Sequence, residues 1–123
     1  MSSKYYLPTD PVSVVPLSEY SPESARASLL ALLSPLGYPE RIKEGMTVVI
    51  KANLVSAMKP EEAATTHPVL LSALCDLLVE RGAGVIVGDS PGGLYTPQFV
   101  NRVYSATYGK WNKYLACDTF ESV

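Results

Sequence analysis

Three short polar clusters hold the residues of this chain that are able to do chemistry: Lys51-Ala52-Asn53, Thr65-Thr66-His67-Pro68 and Asp89-Ser90-Pro91-Gly92-Gly93. His67 is the only histidine. An imidazole can act as acid, base or metal ligand near neutral pH. Asp89 supplies a carboxylate for the same kinds of work, so His67 and Asp89 form the candidate catalytic pair. One histidine and one carboxylate are a thin shell for a metal, and no metal site is assigned. Lys51 offers a compact positive charge, and Asn53 an amide that can hold a carbonyl. Thr65 and Thr66 stand before Pro68 at an expected helix start, where exposed N–H groups and the positive dipole end suit an anion. Ser90, Gly92 and Gly93 lie in a turn whose glycines let the backbone approach a ligand and present N–H groups to it. That turn is neither the Walker pattern nor G-x-G-x-x-G, so no nucleotide site is read from it.

Each cluster also has a plain structural reading. Asp89 can cap a turn, Thr66 can be an N-cap beside an exposed His67, Lys51 can reach to solvent, and Asn53 can order a loop. What raises the functional reading is placement. Two of the clusters follow apolar β-type runs, and open α/β sheets bind ligands outside the carboxyl ends of their strands.

The elements that position these clusters can be read from spacing. Val12-Ser13-Val14-Val15, β-branched and flanked by Pro11 and Pro16, predicts a first strand. Ser21-Pro22 opens a helix as N-cap and first turn, with Ala25, Leu29, Leu32, Leu33 and Leu36 on one face. Ser34-Pro35 and Gly37 end it. Met46 to Ile50 is a near-continuous apolar run that suits a strand buried on both faces. Residues 53–66 form a long loop, a length often kept for function. Pro68 starts a second helix with Leu70, Ala73, Leu74, Leu77 and Leu78 as its buried stripe, stopped at Arg81-Gly82. Gly84 to Gly88 is the next strand. Thr96-Pro97 opens a third helix with Val100, Val103 and Tyr104 inward, and Leu115-Ala116-Cys117 is a candidate edge strand. Alternating strands and helices imply an α/β fold: a three-layer Rossmann-like sandwich with a mostly parallel sheet of about four strands.

The 123 residues suit one domain, residues 1–123, with a less readable tail from 108 to 123. A 47% hydrophobic composition supports a core. Net charge is -2 and no Lys/Arg run occurs, which argues against nucleic acid as a partner. No apolar stretch nears the roughly 20 residues of a membrane helix, and there is no apolar signal core, so the expected location is cytoplasmic without membrane attachment. Cys75 lies in an apolar helical run and Cys117 near the end. No C-x-x-C occurs, so no iron–sulfur or zinc framework is present in the sequence.

With the clusters in place, a resemblance is visible. Ile50-Lys51-Ala52-Asn53-Leu54-Val55, Ala64-Thr65-Thr66-His67-Pro68 and Gly88-Asp89-Ser90-Pro91-Gly92-Gly93 resemble, in order and spacing, the strings I-K-P-N-L-V, T-T-H-P and G-D-S-P-G-G of the domain-of-unknown-function family three hundred and sixty-two. Ala52 stands where that family has proline. The likeness covers roughly Val12 to Tyr104. It implies an uncharacterised, iron–sulfur-associated family whose members are longer, and hence an amino-terminal piece or a shortened member here.

Together these readings predict a ligand-binding half-domain for an anionic small molecule, redox-associated, lined by Lys51, Asn53, Thr65, Thr66, His67, Asp89 and Ser90, with N–H groups near Thr66, Gly92 and Gly93. Two other classes compete with it. One is an enzyme whose His67/Asp89 site is completed by a missing carboxyl-terminal region. The other is an assembly piece whose exposed sheet edge pairs with missing segments or with a second copy.

Overall fold

The computed structural model describes residues 9–53, 55–89 and Gln98. Ser21 starts α1 (Pro22–Leu33), its side chain accepting from Ser24 N at 3.1 Å, with Pro22 in the first turn. A single 3-10 turn over Ser34–Leu36 follows, and Gly37, at φ 95°, ends it as glycine can without a Cβ clash. β1 (Thr47–Lys51) leads into a loop that holds one 3-10 turn, Pro60–Glu62. α2 (Pro68–Glu80) connects it to β2 (Gly84–Gly88). The strands pair in parallel, Thr47 with Gly84 through Lys51 with Gly88. This β1-α2-β2 unit establishes an α/β architecture, with two parallel strands among the described residues.

The core lies mainly in the seam between the helices. Ala25 and Leu29 of α1 meet Ala73 and Leu77 of α2, and Leu30, Tyr38, Val69, Leu70 and Leu74 close around them. Small residues on both sides let the two helices approach closely. The Tyr38 hydroxyl donates to the Leu77 carbonyl at 3.0 Å, so even the polar end of that ring is satisfied. Arg26 grips Glu80 with two N–H···O bonds of 2.8 and 2.7 Å. The guanidinium holds the Glu80 carboxyl below the usual carboxylate range. Whatever the pair contributes is therefore present at neutral pH and lost as pH falls through the lowered value. Both side chains are exposed, so that contribution is small.

Three expectations are corrected. Val12–Val15 forms no strand among the described residues. Val12 and Val14 are 87% and 86% exposed, and no neighbouring ladder takes up their backbone. β-Propensity reports fitness for a half-buried pleated surface and does not itself create a partner. β1 alternates between exposed and half-buried positions and is not covered on both faces: Val49 is 68% exposed. The stripe of α2 is wider than expected. Leu71 and Cys75 are buried as well as the expected Ala73, Leu77 and Leu78, while Leu70 and Leu74 are half-buried, because α2 packs against both α1 and β2. The third helix from Thr96, the candidate strand Leu115–Cys117 and the tail from Tyr108 lie outside the described residues. No helix among those described is long and apolar enough to cross a membrane.

Candidate functional site

Parallel pairing carries the ends of β1 and β2 to the same side of the sheet. Lys51 is the last residue of β1, and Asp89 follows the last residue of β2. Lys51 is in register with Gly88, one residue before Asp89. The Lys51 Nζ reaches Asp89 Oδ1 at 2.9 Å. The environments of the two differ sharply, the lysine side chain being 71% exposed and the aspartate 5%. An ammonium has three donors, so one bond to Asp89 leaves two that can turn to solvent or to a ligand.

The second cluster is tied to the first through the main chain. Asn53 and Thr66 exchange two bonds: Asn53 N donates to Thr66 Oγ1 and Thr66 N to Asn53 O, both at 2.9 Å. Asn53 Nδ2 donates to the Ala64 carbonyl at 3.4 Å. Ala52, fully buried between the two site residues of its cluster, donates its N–H to Gly88 O at 3.0 Å. These bonds hold the strand ends and the start of α2 in one frame. The Thr66 N–H offered to an anion by the sequence reading is thus already used inside that frame. The Thr65 hydroxyl oxygen is buried with no hydrogen-bond partner among the described residues. A buried hydroxyl without a partner is costly.

The N-cap of α2 is His67, where Thr66 was expected. Its Nδ1 accepts from Val69 N at 3.2 Å. Nδ1 accepts here, so Nε2 is the ring nitrogen that the cap does not use. The ring stacks on Tyr20, centroids 3.8 Å apart and planes within 6°. Tyr20 stands just before the N-cap of α1 and so pins the starts of both helices together. Sequence spacing missed this contact, since the two residues are far apart along the chain. Replacing His67 by alanine is expected to cost about 1 kcal/mol more stability than His67→Asn, because both variants lose the stack on Tyr20 while asparagine still caps. Urea denaturation of the two variants checks this; equal losses would mean the cap contributes nothing.

The loop between the clusters is strained. Val55 and Ala63 adopt φ of 52° and 55°. A β-branched residue there is a rare outlier, of a kind that costs about 1–3 kcal/mol and gathers at ligand-binding segments. Ser90, Gly92 and Gly93 lie outside the described residues. Among the described residues, no group of three or more His, Cys, Asp or Glu could hold a metal. Cys75 is their only cysteine and is fully buried in the core, so these residues do not fit an iron–sulfur cluster.

Residues 48–116, more than half of the chain and including all three clusters, match the model of the family described as domain of unknown function (DUF362). The chain belongs to this family. A relative of the DUF362 chain is the thylakoid-associated protein sll1697 of Synechocystis sp. (strain PCC 6803), 36% identical over 81 residues. That stretch is 65% of this chain and 25% of the relative, so the chain spans about a quarter of the length of the curated relative it matches. No solved structure matches it.

Proposed function

We propose that this DUF362 chain is a ligand-binding half-domain that takes an anionic small molecule at the carboxyl ends of β1 and β2. The observation that supports it most is the Lys51–Asp89 pair: a buried carboxylate holds an exposed ammonium at 2.9 Å beside the strand ends. Asp89 orients the charge while two of its donors stay available. Asn53 and Thr66 fix the loop beside it, Thr65 offers the unsatisfied hydroxyl, and His67 presents Nε2. In this reading Ser90, Gly92 and Gly93 add backbone donors. Lys51, more than the start of α2, supplies the attraction, because His67 and Asn53 already occupy the Val69 and Thr66 N–H groups.

The complete fold in this proposal is the four-strand, three-layer Rossmann-like sandwich, formed with segments beyond the two described strands. The chain then forms the amino-terminal part of a longer, redox-associated cytoplasmic protein, with any iron–sulfur module beyond it. Support comes from a relative about four times as long as the matched stretch. The enzyme reading is weaker on geometry, since His67 is engaged as a cap and stack while Asp89 is engaged by Lys51.

Thermal unfolding against a panel of phosphates, carboxylates and nucleotides at fixed ionic strength tests the binding. We expect a selective rise in Tm, about 2.7 kcal/mol of added stability at a hundredfold excess over Kd. The rise should disappear in Lys51→Met. No shift with any anion, or a shift unchanged in Lys51→Met, removes the proposal.

A further inference from the structure

β1 has an outer edge that no described strand covers. Gly84 N donates to Met46 O and Ala52 N to Gly88 O, so the even-numbered residues of β1 bond to β2. In a parallel ladder this turns the N–H and C=O of Thr47, Val49 and Lys51 outward. Among the described residues none of these groups has a backbone partner. Natural sheets guard such edges with charges, prolines or bulges that turn other strands away. From Thr47 to Ile50 this edge carries none of them, and Val49 in its middle is 68% exposed.

The two ends of this edge match each other. At one end the next outward residue is Asn53, whose N–H and C=O are both taken by Thr66. At the other, Gly45 gives its N–H to Gly82 at 3.1 Å and turns away at φ 82°. The free stretch is therefore centred on Val49, with Thr47 and Lys51 equally far from it on either side. We propose that β1 pairs with β1 of a second copy of the chain, antiparallel, about a twofold axis through Val49. Val49 then meets Val49, and Thr47 meets Lys51 at both ends. Each of these residues exchanges both of its outward bonds with the residue opposite. Gly45 of each copy turns away just where Thr66 of the other closes the edge.

The apolar residues match as well as the hydrogen bonds do. The axis is perpendicular to the sheet, so the order becomes β2-β1-β1-β2 and each face continues across the join. On the bare face the two Val49 side chains lie side by side, flanked by Ile86 of each copy, which is in register with Val49. On the helix face Val48 lies opposite Ile50 of the other copy, twice, and both are half-buried before pairing. Only the backbone of Lys51 enters the ladder, so its ammonium keeps Asp89 and stays open to a ligand. The pairing also sets Thr47 of the second copy beside the Lys51 side chain, on the same face. Each anion site thereby gains a hydroxyl from the other copy, a step that rests on the binding reading above, whereas the dimer itself does not.

Sedimentation velocity of the whole chain over a concentration series tests the dimer. The ladder is short, so the expected wild-type result is a weak, concentration-dependent dimer. Val49→Asp and Val49→Lys each set like charges against one another on the axis and should be monomers at every loading. Mixed in equal amounts they should dimerise again, because opposite charges then meet. Val49 is exposed, so both variants should keep the wild-type circular dichroism. A wild type that stays monomeric, a dimer that survives Val49→Asp, or a mixture no more associated than its parts would overturn the proposal. Thr47→Ala should keep the dimer and reduce the rise in Tm with the phosphate, carboxylate and nucleotide panel; an unchanged rise removes the shared site. A dimer that no anion stabilises would sink the binding reading and leave the pairing, and a Lys51-dependent rise in a monomer would do the reverse.

Discussion

Truncating Leu77 to alanine is expected to lower the free energy of unfolding by about 2–5 kcal/mol. Leu77 is 1% exposed and sits where Ala25, Leu29 and Ala73 converge. Two of those neighbours are alanines, whose side chains are too short to move into the space it leaves. Side-chain volume is the cause, since the Leu77 carbonyl keeps its bond from the Tyr38 hydroxyl when the side chain is cut. A domain of this size has about 5–15 kcal/mol in hand, so the loss takes a large share of it. Urea denaturation should show a lower midpoint with an unchanged slope. Tyr38→Phe, which removes the hydroxyl and keeps the ring, should cost only about 1 kcal/mol. Similar losses in the two variants would mean the helix seam is not the main core.

That seam was largely legible in the sequence, because periodicity and capping are local signals. Ser21-Pro22 and Pro68 mark the helix starts, and Ala25, Leu29, Ala73 and Leu77 recur at helical spacing. β1 and β2 were legible as apolar runs. What failed depended on partners distant in sequence. Val12–Val15 has strand composition, but a strand exists only where another supplies its hydrogen bonds, and nothing local tells whether one does. Val49 reads as two-sided core because valine is apolar, yet one face of β1 is bare. Composition points to Thr66 as the cap of α2, since threonine is the usual kind of residue there. The ring nitrogen of His67 took that role and Thr66 turned to Asn53.

The site residues divide along the same line. Lys51, Asn53, Thr66 and Asp89 stand out in the sequence because they follow or precede regular elements, and the fold brings Lys51 to Asp89 and Asn53 to Thr66. The pairings themselves were hidden. The direct ion pair depends on the register Lys51 with Gly88, and register is set by packing between strands. The Tyr20–His67 stack depends on how α1 lies on α2, which no spacing within either helix reveals.

The Lys51–Asp89 pair makes an asymmetric prediction. Lys51→Met is expected to destabilise the fold by about 1–3 kcal/mol, and Asp89→Asn by less. The reason is burial. Losing the lysine leaves a carboxylate whose side chain is only 5% exposed without its ammonium, and water cannot readily replace it. Losing the carboxylate leaves an ammonium that is 71% exposed and already hydrated. The double variant should therefore resemble Asp89→Asn more than the sum of the two singles, a positive coupling in a double-mutant cycle. Anion affinity should follow a different order. Lys51→Met removes the attracting charge and should abolish binding, while Asp89→Asn keeps the charge but frees its direction and should weaken binding by about tenfold, or 1.4 kcal/mol. Stability and affinity then separate the two roles of Asp89, as a buried partner of Lys51 and as the group that aims it. If Asp89→Asn were the more destabilising variant and left anion affinity untouched, the pair would be a fixture of the fold, and the ligand site would have to lie elsewhere.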